Sequence, residues 1–218
     1  MSRKISQQPL AARFEHLLGV ISSQRFVEMR GLNNDLPFYI CEFKATETVE
    51  MERVRRQLVT RLANMSIPCL EGRGIQVLEI NLYDLSIELL KAREGSSEEG
   101  SLWDDLLTIE QEAEKEQLLE TLQNVLGIEE YLIPAIGERL AAAEYDVLFL
   151  SGIGEVFPYI RSHNVLNNLQ STAKSKPTVM FFPGEYRYSL EQGASLELFG
   201  LLHDDKYYRA FNIFETQA

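Results

Sequence analysis

The sequence predicts a three-layer α/β domain around a mostly parallel sheet of about five strands, and three observations carry that reading. Short strand-like segments recur at Phe38–Phe43, Ile75–Leu82, Asp146–Leu150 and Thr178–Phe182, and all but Ile75–Leu82, which offers Val77, Leu78 and Ile80 for burial, are nearly unbroken apolar runs. Such runs mark strands buried on both faces. Between the first two lies a stretch of helical period, which makes a strand–helix–strand unit. The third run stops abruptly at Ser151-Gly152-Ile153-Gly154, as a buried strand does where it leaves a parallel sheet.

In chain order, Leu10–Ser22 predicts a first helix behind Pro9, with Leu10, Phe14, Leu17, Leu18 and Ile21 at helical spacing. Phe38–Phe43 is apolar enough to be central. Met51, Val54, Leu58, Leu62 and Met65 form one stripe of a helix over 47–66, leaving Arg53, Arg56 and Arg61 on its solvated side. Ile75–Leu82 supplies a second strand and Leu82–Ala92 the next helix. The segment 94–101 is small, polar and acidic, and reads as a mobile loop. Leu102–Leu126 shifts its apolar face partway, which predicts one curved helix or two. Its Glu110, Glu112, Glu114, Glu116 and Glu120 read as a solvated face, since acidic calcium ligands come in a glycine-containing loop. Glu129–Ala143 is a helix bent near Pro134. Thr178–Phe182 is a strand stopped by Pro183-Gly184, Leu196–Leu202 a short helix or a turn, and Tyr207–Phe214 a last strand, antiparallel or at an edge.

At 218 residues the chain predicts one domain over 1–218. Its formal net charge of −12 disfavours direct DNA binding. Cys41 and Cys69 lie beside apolar residues with no C-x-x-C spacing, which predicts buried free thiols rather than a metal site. No apolar run reaches the roughly 20 residues of a membrane helix, and the polar start over 1–9 has no secretory core. The expectation is a cytoplasmic protein with no membrane association.

The candidate site is the loop after the third strand, because ligands of open α/β sheets bind outside the strands' carboxyl ends. Gly152-Ile153-Gly154 opens like a dinucleotide fingerprint, but Phe157 stands where a small residue is required. No glycine-rich loop ending in Lys and Ser or Thr occurs, so the sheet is like that of P-loop NTPases in outline and lacks their phosphate-binding loop. Gly152, Gly154, Glu155, Arg161, His163, Asn164 and Asn167, with Asn168, form a polar rim that completes no catalytic set. His163 has the acid–base range, yet no paired nucleophile is legible by spacing; helix-terminal hydrogen bonding explains the polar residues as well. Glu185, Tyr186, His203, Asp204, Asp205 and Arg209 are placed to share that rim. The prediction is a partner- or ligand-binding surface with no catalytic residue, metal or cofactor.

The strings SGIGEVFPYIRSHNVLNNLQ, VMFFPGEY, LELFG and DDKYYRAFNI, with PFYICEF and VLEINLYDL before them, resemble the BrxB family of the BREX bacteriophage-exclusion systems. The resemblance runs from Phe38 to Ile213. It implies a non-catalytic accessory subunit of a phage-defence complex, working beside a PglZ phosphatase-like protein, a PglX methyltransferase and a BrxC ATPase. It carries no catalytic residue over. The alternative from another class is a degenerate nucleotide-binding protein or hydrolase that uses the Gly152–Asn168 rim.

Overall fold

A computed structural model describes residues 5–30, 37–96, 100–189, 193–204 and 210–217. The strands are β1 (Phe38–Phe43), β2 (Val77–Asn81), β3 (Val147–Ser151), β4 (Thr178–Ser189), β5 (Gly193–Leu198), β6 (Leu202–Asp204) and β7 (Phe211–Asn212). The helices are α1 (Leu10–Ile21), α2 (Gln24–Val27), α3 (Thr48–Ala63), α4 (Leu82–Ala92), α5 (Leu102–Glu112), α6 (Lys115–Val125), α7 (Ile133–Ala142) and α8 (Ser162–Thr172).

The main sheet runs β2-β3-β4-β1-β7, and every pairing in it is parallel. All six residues of β1 are buried, in keeping with its place between β4 and β7. Side chains alternate along the strands and build a core on each face. Phe38, Ile40, Leu148, Leu150, Met180 and Phe182 meet residues of α4, α5, α7 and α8 on one side. Tyr39, Cys41, Phe43, Val147, Phe149, Val179 and Phe181 meet α1, α2 and α3 on the other. These are the three layers the sequence predicts. The α3 stripe lies as expected, with Met51, Val54, Leu58 and Leu62 buried, each stabilising the fold by about 1.5–3 kcal/mol through its removal from water.

The carboxyl half of the chain departs from expectation. β4 does not stop at Pro183-Gly184. Its first half pairs with β1 as far as Phe43↔Pro183, and its second half pairs antiparallel with β5 from Gly184↔Leu198 to Ser189↔Gly193. Pro183 stands at the last register pair with β1, the end of that ladder, where a missing amide is tolerated. A Cβ on Gly184 would lie 2.1 Å from the Glu197 carbonyl oxygen, so only glycine lets β5 approach. Glu42, buried on β1, accepts a 2.7 Å hydrogen bond from the Tyr186 amide where β4 leaves the main sheet. Leu196–Leu202 is accordingly β5, a turn and the start of β6, rather than a helix. The last strand is at an edge, as expected, but parallel to β1, and Tyr207–Arg209 lie outside the described residues.

Smaller points follow the same physics. Leu102–Leu126 is two helices, parted at Ala113-Glu114, and Ser101 with Asp104 forms a capping box on the first. Glu94 and Ser101 pair as an isolated bridge at the base of the acidic segment. A π turn over Ile128–Leu132 precedes α7, which has Pro134 in its first turn. Cys41 is buried, whereas Cys69 is only half-buried; both are free. Among the described residues no helix is long and apolar enough to cross a membrane.

Candidate site at the carboxyl ends of the strands

The connection after β1 leaves by the α3 face and the one after β3 by the α8 face. Strand ends whose connections part this way leave a crevice between them. A cavity of about 290 Å³ occupies it, lined from β1 by Phe43, from β3 and its loop by Ser151 to Glu155, from β4 by Phe181 and Pro183, from α3 by Thr48, Met51, Glu52 and Arg55, and by Asn81 and Phe199.

Local sequence explains each wall. Asn81 ends β2 and caps α4 in one step, its Oδ1 accepting from the amides of Tyr83 (2.8 Å) and Asp84 (3.2 Å). Gly152 lies against this cap with φ +78°, and a Cβ there would come 2.2 Å from Asn81 Oδ1. The glycine is thus fixed by its conformation and by its neighbour. The loop over 152–161 is anchored by the buried Ile153, Val156 and Ile160, and includes a cis Phe157-Pro158 bond. Helix α8 starts only at Ser162, so neither glycine sits at a helix N-terminus, and the dinucleotide arrangement fails on this count as well as at Phe157. The Phe157 ring instead packs edge-on to Phe199, with centroids 6.4 Å apart.

Phe199 belongs to the turn between β5 and β6. It holds φ +57°, an outlying conformation for a bulky residue, secured by its amide donating to the Pro183 carbonyl at 2.8 Å. Leu201, two residues on, is 81% exposed. On α3, Arg55 ion-pairs with Glu79. Burial pushes the Arg55 guanidinium below its ordinary value, while Glu52 and Asp84 act in the other direction.

Of the residues singled out from sequence, Gly152, Gly154 and Glu155 line the cavity. Arg161, His163, Asn164 and Asn167 belong to α8 and its start and do not line it. Asn168 donates to the Asn164 carbonyl at 2.9 Å, a hydrogen bond within the helix. Glu185 lies on the hairpin, where Arg187 reaches it at 3.0 Å and the facing Glu197 at 3.3 Å. The Tyr186 hydroxyl donates to the Ala210 carbonyl at 2.5 Å, so this side chain joins the hairpin to the chain just before β7. Arg209 and Asp205 lie outside the described residues, and β6 takes in His203 and Asp204. Among the described residues no group of three His, Cys, Asp or Glu side chains is placed to hold a metal ion. Sequence reasoning missed Thr48, Glu52, Arg55, Asn81 and Phe199. Only Asn81 left a signal, an N-cap residue set directly between a strand and a helix.

A family model for BREX protein BrxB matches residues 78–213. BREX protein BrxB of Bacillus cereus (strain H3081.97) is 32% identical over 206 residues, covering 93% of this chain and 96% of the relative. The chain belongs to the BrxB family. A second BREX protein BrxB, from Escherichia coli O9:H4 (strain HS), is 23% identical over 205 residues, covering 94% of this chain and 91% of the relative. No solved structure matches. The BrxB match takes in β2 from Leu78, β3, the loop 152–161, β4 and the hairpin, which together supply most of the crevice; α3 and β1 lie before it. A BrxB protein is a BREX phage-defence component, and the family resemblance carried by the sequence strings agrees with that membership.

Proposed function

We propose that this BrxB-family chain is a non-catalytic assembly subunit of its phage-defence complex, acting in the cytoplasm through protein–protein contacts. The PglZ phosphatase-like protein is the first partner, with the PglX methyltransferase and the BrxC ATPase as further ones. The observation that supports this reading best is the exposed apolar tip of the β5–β6 turn, Phe199 and Leu201, set beside the carboxyl-end crevice. Exposed apolar residues rimmed by polar ones characterise protein contact surfaces.

Charge bears on the alternatives. Twelve acidic residues and one lysine fall between Glu94 and Glu130, so the net charge is concentrated around α5 and α6 and the rest of the chain is close to neutral. The crevice itself has Glu52 and Glu155 against Arg55, a balance that repels phosphates and weighs against both a nucleotide and a DNA backbone.

The test is co-expression with the PglZ-like protein, followed by measurement of the mass that elutes together. A joint peak is expected. Separate elution from PglZ-like, PglX and BrxC proteins alike would overturn the assembly reading, and a thermal shift with nucleotide would replace it with the nucleotide-binding one.

A further inference from the structure

The lining of the crevice divides into two chemistries. Phe43, Met51, Ile153, Phe181, Pro183 and Phe199 are apolar. In the polar remainder Arg55 is the lone cation among the described residues, and it is already held by Glu79 with Asp84 nearby. Glu52 pairs along α3 with the exposed Arg56. Glu155 is exposed and its carboxylate has no ion pair among the described residues. An apolar interior with an acidic mouth suits a group that is apolar along its stem and cationic at its end.

We propose that the crevice is the socket for an arginine or lysine side chain of a partner protein, with Phe199 and Leu201 contacting apolar residues beside that anchor. Charge complementarity with Glu155 and Glu52 selects this occupant over an acidic or phosphorylated one. The left-handed backbone at Phe199 is fixed by its hydrogen bond to Pro183 and by the Phe157 ring. The apolar lip is therefore set before a partner arrives, which lowers the ordering cost of binding. This inference rests on the assembly reading above and gives it an anchor.

Two measurements test it. In the first, isotope-labelled protein is titrated with N-acetyl-argininamide, N-acetyl-norleucinamide and N-acetyl-glutamamide while the Gly152 and Gly154 amide signals are followed by NMR. The arginine compound is expected to shift them, more than the norleucine compound does, and Glu155→Lys is expected to abolish that preference. No shift with the arginine compound, or equal shifts with the norleucine one, overturns the socket. In the second, binding to the co-purifying BREX subunit is measured for wild type, Glu155→Lys and Leu201→Asp, with folding checked by thermal melting. Each variant is expected to weaken binding about tenfold or more. Unchanged affinity in folded variants sinks the socket and leaves the assembly reading standing. A wild-type chain that binds no subunit sinks the assembly reading, and the peptide titration then stands alone.

Discussion

The two ends of the parallel sheet offer opposite uses of the same kinds of residue. At the amino ends Arg73, Gln76, Asp146 and Lys176 border a recess of about 700 Å³, larger than the 290 Å³ crevice at the carboxyl ends. Yet the polar groups of the larger recess are directed at one another. Asp146 is 3% exposed and accepts from the two terminal nitrogens of Arg73 at 2.6 and 2.9 Å and from the Gln76 amide at 2.8 Å. Burial alone would raise its carboxyl, but those hydrogen bonds, with the charges of Arg73 and Lys176, hold it below the usual carboxylate range. At the carboxyl ends Glu155 faces solvent without an ion pair among the described residues, Leu201 is exposed, and Phe199 is held in a conformation it would not choose. The larger volume does not mark the more available end. The state of their polar groups does: one end is a closed clamp, the other has groups left over for something else.

Substitutions can break or sharpen this contrast. The largest effect is expected from Gly184→Val, where backbone stands in the way of any side chain. Urea denaturation should show a loss of about 3 kcal/mol, because hairpin and sheet cannot both keep their places. Asp146→Ala should cost about 2–3 kcal/mol, as it leaves charged and amide donors without their acceptor, while partner affinity stays at the wild-type value. Affinity that fell along with stability would show the two ends to be coupled. The same carboxylate sets a pH signature. Its folded-state pKa is depressed, so its contribution is fully present above the unfolded value of about 4 and is lost as pH falls below that. Asp146→Asn should flatten the acid limb of the stability profile. Asn81→Ala removes the cap of α4 and should cost about 1 kcal/mol. Smallest of all, Leu201→Ser should move stability by no more than about 0.5 kcal/mol and still weaken partner binding.

How much of this was legible depended on how local the signal was. Helix α3, with its stripe from Met51 to Leu62, and helix α4, from Leu82 to Ala92, could be read directly because a helical period shows within a few residues. The strands β1 and β3 showed as apolar runs. Pro183-Gly184 misled because the same pair that ends most strands here marks a change of partner, and the reason, the Glu197 carbonyl, comes thirteen residues later. The turn at Phe199 gave no warning, since a bulky residue in the left-handed region is set by its tertiary neighbours. Gly152 and Gly154 drew notice for their place at the end of β3, whereas their company in the crevice, Arg55 and Thr48, comes from a helix about a hundred residues earlier in the chain. Polar residues of α8 looked functional in sequence because their helix is solvated on one side and buried on the other through Val165, Leu166 and Leu169.

The continuity of β4 limits how the hairpin can be exchanged between relatives. Its outer half shares one unbroken strand with the middle of the main sheet, so a graft cut at Pro183-Gly184 would sever the ladder at the point where it changes partners. A chimera that carries over the whole of β4 with β5 and β6 keeps the hairpin pairing intact and presents an unbroken strand to the recipient's β1, where a carboxylate at the Glu42 position is needed to meet the Tyr186 amide. In this protein the transplantable unit is therefore the full strand and not the projecting arm.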